Sequence, residues 1–135
     1  MAYNIKQIIS NVTEPVTVIE TPSFLRDAKK VLGDAEREEL INYLAYNPKA
    51  GVVIKGTGGV RKIRWAGEDA GKSGGLRIIY FFQSGEVPLF LLNVFAKNEK
   101  ENISQADRNE LKKLSSILIS SYKNKEKPNE RKPYN

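Results

Sequence analysis

The chain has 135 residues, with 22 Lys and Arg against 16 Asp and Glu, a net charge of +6, and neither Cys nor His. Such a length fits one domain with one real core. The two missing residue types exclude a disulfide scaffold, a thiol nucleophile, a Ser-His or Cys-His couple, and any Cys or His metal site.

Residues 1–15 carry Ile5, Ile8 and Ile9 in a polar context and are expected to form an N-terminal extension. They are too polar for a signal peptide, and no apolar run reaches the roughly 18 residues of a membrane span, so a cytoplasmic location is expected. Val16 to Thr21 is β-branched and predicts a strand. Thr21 then caps a helix with Pro22 in its first turn, and Phe24, Leu25, Ala28, Val31 and Leu32 share one face. Gly33 stops that helix, and Asp34 is expected to cap a second. Leu40, Ile41, Tyr43 and Leu44 are its buried stripe, and Asn47-Pro48 ends it.

A turn-rich stretch follows, with a short apolar Val52-Val53-Ile54. Three strands are predicted at Val60–Ala66, Leu76–Gln83 and Val87–Ala96, the last two joined by a short Ser84-Gly85 link. Ser104 opens a capping box with Asp107 in place of Glu. Leu111, Leu114, Leu118 and Tyr122 give the last helix its apolar stripe. The order β-α-α-β-β-β-α predicts an α+β fold with a mostly antiparallel sheet. Two N-terminal helices cover one face, and the C-terminal helix covers part of the other. From Lys123 to Asn135 a basic, Pro-containing tail is expected to be disordered.

The charge is concentrated. Lys55, Arg61, Lys62, Arg64, Lys72 and Arg77 face only Glu68 and Asp69 within residues 55–77, and the tail holds most of the rest. Side chains alternate along a strand. Lys62 and Arg64 therefore share a side, opposite Ile63 and Trp65. Arg77, Ile79, Phe81 and Gln83 share a side, opposite Leu76, Ile78, Tyr80 and Phe82. In the third strand, Leu89, Leu91, Asn93, Phe95 and Lys97 are read as one face, and Phe90, Leu92, Val94 and Ala96 as the other. Beyond the last helix, Lys62, Arg64, Arg77, Asn93, Phe95 and Lys97 are expected to converge with no carboxylate among them. Such a group suits phosphates and a stacked base. Edge cations that block aggregation would explain one Lys, but not four from three strands.

Other motifs carry less. Ala66 to Ser73 fits a relaxed phosphate-loop pattern, but a strand follows where the mechanism needs a helix. Gly56-Thr-Gly-Gly59 lacks the helix of a dinucleotide fingerprint. Both stretches are read as mobile connections, with Lys72 able to touch a phosphate. Glu36, Glu38 and Glu39 beside Arg37 read as a solvated helix face.

Three blocks in succession have a familiar pattern. They are Lys55-Gly-Thr-Gly-Gly-Val-Arg-Lys-Ile-Arg-Trp65, Gly71-Lys-Ser-Gly-Gly-Leu-Arg-Ile-Ile-Tyr-Phe81, and Leu91-Leu-Asn-Val-Phe-Ala-Lys-Asn-Glu-Lys-Glu-Asn-Ile-Ser104. With Thr17–Pro22 and the final helix, they resemble the HigB branch of the RelE toxin superfamily over about residues 16–122. The resemblance implies a RelE-like fold and the toxin of a bacterial type II toxin–antitoxin pair. It also implies a ribosome-dependent endoribonuclease that cuts mRNA and inhibits translation. A HigA-like helix-turn-helix antitoxin would neutralise it, and the free toxin would be monomeric.

By the same resemblance Lys62 and Arg64 match the family's basic pair, and Arg77 matches the Arg of the next strand. Lys97 lies near a basic position after the last strand, and Phe95 takes a stacking position. The Tyr that some relatives carry near the C-terminus has no match here. Tyr122 is read as core, and Tyr80 as facing the helix-packed side.

The implied reaction is attack of a ribose 2′-OH on the adjacent phosphate, without metal or cofactor. A lysine crowded by cations gives up its proton more readily. Lys62 is the candidate base, Lys97 the acid or a phosphate ligand, and Arg64 and Arg77 the charge stabilisers. Arg61, Lys72, Asn93 and Phe95 are the expected RNA contacts. The alternative reading is a non-catalytic RNA- or ribosome-binding module on the same face. A DNA-binding regulator lacks a basic recognition helix, and a metal-dependent nuclease lacks the ligands.

Overall fold

The computed structural model describes residues 14–66, 75–96 and 103–126. Its elements are β1 (Val18–Glu20), α1 (Pro22–Val31), α2 (Asp34–Tyr46), β2 (Val52–Val53), β3 (Val60–Trp65), β4 (Leu76–Phe81), β5 (Leu89–Ala96) and α3 (Gln105–Glu126). The expected order holds, with β2 added from the short apolar run. The strands form one sheet in the order β1-β5-β4-β3-β2. Only β1 and β5 run parallel; the other pairs are antiparallel. This is the predicted α+β architecture.

The helix ends follow the local chemistry. Thr21 Oγ1 accepts from Phe24 N at 3.2 Å, so the threonine caps α1 and Pro22 sits where no donor is needed. At α2 the cap falls one residue earlier than expected. Gly33 is the N-cap and Asp34 lies in the first turn. The Glu36 carboxylate accepts from Gly33 N at 3.3 Å, the N3 half of a capping box, while glycine offers no side chain for the other half. Ser104 Oγ accepts from Asp107 N at 3.1 Å and opens α3 as predicted. That helix runs to Glu126, past the expected domain end at residue 122. None of the described helices is long and apolar enough to cross a membrane.

Two apolar clusters sandwich the sheet. On one face Phe24 and Ala28 of α1 and Leu40 and Leu44 of α2 pack on Ile78, Tyr80, Leu89, Leu91 and Val94. On the other, Leu111, Leu114, Leu118 and Tyr122 of α3 pack on Val60, Ile79, Phe81, Phe90 and Leu92. One parity assignment is therefore corrected. Leu89 and Leu91 face α1 and α2, whereas Phe90 and Leu92 face α3. The reason is a bulge: Tyr80 pairs with Leu91 but Ile79 pairs with Asn93, so Leu92 is an extra residue in β5. The inserted residue resets the alternation, which returns Asn93 and Phe95 to the side predicted for them.

The Gly56–Gly59 turn is a built structure, not a loose connection. Thr57 is fully buried; its hydroxyl donates to Ile54 O at 2.6 Å and accepts from Val60 N at 3.1 Å. Ser115 Oγ of α3 lies 2.8 Å from Thr57 O and clamps the turn to the helix. Ser115→Ala should cost about 1–2 kcal/mol by stranding a buried carbonyl, read as a lower urea midpoint with an unchanged slope.

Candidate RNA-binding and catalytic face

The register places Lys62, Arg64, Arg77, Asn93 and Phe95 in two rows on one face. Lys62 of β3 stands opposite Ile79 of β4, which stands opposite Asn93 of β5. One pleat along, Arg64 stands opposite Arg77, and Arg77 opposite Phe95. Both rows lie on the face that α3 covers only in part. Lys62 and Arg64 are exposed, and Arg77, Asn93 and Phe95 are half-buried. Among the described residues, none of Lys62, Arg64 and Arg77 forms an ion pair. Arg77 also has a buried Nη1 with no hydrogen-bond partner. Two arginines paired directly across the ladder cost stability, and an orphaned charged donor costs more. An anion between them would remove both penalties.

Three further predicted residues are placed less favourably or not at all. Arg61 lies on the opposite face, opposite Tyr80 in register. Its guanidinium donates to Gly51 O at 2.9 Å and to Phe82 O at 3.4 Å, so it holds the loop between α2 and β2. Lys72 and Lys97 lie outside the described residues, as do residues 67–73 of the phosphate-loop-like stretch.

Beside the rows, the sheet edge is closed by α1 in place of a strand. β1 ends at Glu20, and Thr21 closes the ladder, its N and Oγ1 both donating to Leu91 O, at 3.2 and 2.7 Å. Beyond that point Asp27 takes over. Its carboxylate accepts from Val94 N at 3.4 Å and from Asn93 Nδ2 at 3.2 Å. Ser23 Oγ accepts the other Asn93 amide hydrogen at 2.9 Å. A carboxylate only accepts, so the Asn93 amide is fixed with nitrogen toward α1.

This corrects the expectation of a face free of carboxylates. Asp27 joins Asn93, Ile79 and Phe95 in lining a cleft of about 230 Å³, which the start of α3 closes with Asp107, Glu110 and Leu111. In the sequence Asp27 and Glu110 are ordinary polar positions flanking apolar stripes, so neither is marked on its own as a site residue. The available signal for Asp27 was Ser23 one helical turn earlier, a polar pair on one edge of α1. The expected solvated face on α2 is partly right. Glu38 and Glu39 are exposed, while Arg37 pairs with Glu20 of β1 at 3.1 Å.

The family profile described as "RelE toxin of RelE / RelB toxin-antitoxin system" matches residues 17–128, and the chain belongs to that family. Among solved structures, a mutant of the Escherichia coli toxin RelE in the free state is similar at 22% sequence identity. That likeness covers 64% of this chain and 88% of the other, with a TM-score of 0.47.

Proposed function

We propose that the protein is a HigB-type toxin that cuts mRNA on the translating ribosome and so inhibits translation. The observation that carries this reading is the Arg64–Arg77 cross-strand pair beside exposed Lys62, with a buried Arg77 donor left unpartnered. The scissile phosphate lies between the two guanidinium groups, which bind its oxygens bidentately. A ribose 2′-OH attacks the phosphorus and its proton passes to Lys62 as the candidate base. The P–O5′ bond breaks, leaving a 2′,3′-cyclic phosphate, and the departing 5′ oxygen takes a proton from Lys97. Phe95 stacks on the displaced base. Lys72 adds a phosphate contact, while Arg61 acts indirectly by holding the loop behind β3.

The chemistry uses Lys and Arg alone, without metal or cofactor. Such modest acid–base groups explain dependence on the ribosome, which supplies the orientation of the mRNA. The partner that restrains the toxin is a HigA-like helix-turn-helix antitoxin, and the free toxin is a monomer in the cytoplasm. Residues 1–15 serve as an extension to the toxin domain, whose last helix runs to Glu126, and the basic tail after it is a solvated end.

The test is primer extension on mRNA from translating ribosomes. New 5′ ends should appear with the wild-type chain, persist in EDTA at Mg²⁺ levels that keep ribosomes intact, and vanish without ribosomes. Binding to ribosomes with no new ends would instead favour the non-catalytic module.

A further inference from the structure

The cleft beside the two rows has a polarity opposite to theirs. Phe95 forms an aromatic wall, and the polar groups of Asp27, Asn93, Asp107 and Glu110 stand around it. The three carboxylates can only accept hydrogen bonds. Asn93 has both amide hydrogens committed to Ser23 and Asp27, which leaves its Oδ1 as a further acceptor. Asp27 uses Oδ2 for those contacts and keeps Oδ1. Glu110 is exposed at the rim. The cleft therefore offers a stacking surface ringed by acceptors.

That pattern orients a nucleotide. Arg77 is the direct register partner of Phe95, one strand spacing or about 4.8 Å away. A phosphate is repelled by the carboxylates and drawn to Arg77, while an uncharged base is free to enter against Phe95. The acceptors then discriminate among bases. Guanine presents N1–H and N2–H as two parallel donors that fit one carboxylate. Adenine and cytosine present an amino group. Uracil presents one N–H flanked by two carbonyl oxygens, which face acceptors unfavourably.

We propose that this cleft selects the base of the bound nucleotide, preferring guanine and excluding uracil, with Asp27 and Glu110 as the specificity-determining residues. The assignment rests on the RNA-cleaving reading above and names a substrate preference for it.

The test is binding of GMP and UMP to the full-length ¹⁵N-labelled chain, followed by NMR. GMP should bind at least about fivefold tighter than UMP, the smaller end of what one good bidentate base contact provides. Its shifts should centre on the Asn93 side-chain amide and the Phe95 backbone. Glu110→Gln, at an exposed helical position, should bring the ratio toward one because the amide adds a donor for uracil. Asp27→Asn should do the same where the α1–β5 contact survives. Equal affinities for GMP and UMP overturn the proposal, as do shifts away from Asn93 and Phe95 or a ratio unmoved by Glu110→Gln. Base selection without mRNA cleavage would sink the ribonuclease reading alone. Cleavage with no base preference would sink the cleft assignment alone.

Discussion

Arg77→Ala should lower the rate of mRNA cleavage on ribosomes by about 10²–10³-fold, the usual cost of deleting one preorganised donor to a charged transition state. The fold should not suffer in proportion. Arg77 sits directly opposite Arg64 in the β3–β4 ladder, and like charges in that position are destabilising by about 0.2–1 kcal/mol. The truncation also removes a buried Nη1 that has no hydrogen-bond partner. Against these gains stands the loss of the aliphatic stem packed on the sheet. The urea midpoint should therefore stay level or rise slightly while activity collapses. Arg77→Lys keeps the charge but loses the planar fork, so activity should recover only in part. Primer-extension rates with urea titrations of the same preparations separate the two effects. Undiminished cleavage by Arg77→Ala would remove Arg77 from the site; a matching loss of stability would recast it as structural.

That pairing of arginines was visible in outline from the sequence. The alternation in Arg-Lys-Ile-Arg-Trp65 and Leu-Arg-Ile-Ile-Tyr80 puts Lys62, Arg64 and Arg77 on one side, because parity is a local property of each strand. Parity failed only in β5, where a bulge at Leu92 depends on how β5 meets β4, a contact between distant segments. The accident that Asn93 and Phe95 still fell on the right side comes from the one-residue reset. Asp27 was not legible for a related reason. Its contact with Val94 exists because β1 stops at Glu20 and leaves the end of β5 for α1 to close. The Gly56–Gly59 turn shows the same limit. Its glycines suggested mobility, whereas Thr57 and Ser115, 58 positions apart, bind it to α3. Helix caps, by contrast, involve neighbours within four residues, and Thr21 and Ser104 were identified directly.

Gly51→Ala should be the most destabilising small change near the site. A Cβ at residue 51 would stand 2.8 Å from Lys62 O and 2.8 Å from the Tyr80 ring and hydroxyl. Neither neighbour can yield, since one is strand backbone and Tyr80 is fully buried. Tyr80 Oη also accepts from Gly51 N at 2.8 Å and donates to Pro48 O at 2.8 Å, so the added methyl strikes the group that holds the loop. Overpacking of this kind costs about 1–3 kcal/mol, and the displaced hydrogen bonds add to it. Because the collision is with the backbone of Lys62, cleavage should fall together with stability, unlike in Arg77→Ala. Tyr80→Phe leaves the ring but strands both Gly51 N and Pro48 O, at a cost of about 1–3 kcal/mol. It also isolates a pH effect. Burial, the largest influence, pushes the Tyr80 hydroxyl above its ordinary pKa of 10.0. The unfolded chain therefore releases that proton first, so stability falls as pH rises through 10 and toward the folded-state value. Urea midpoints measured from pH 7 upward should drop more steeply for the wild type than for Tyr80→Phe above pH 10. Parallel curves would mean that Tyr80 ionises as freely in the folded protein as in the unfolded chain, and that the loop is not locked by its hydroxyl.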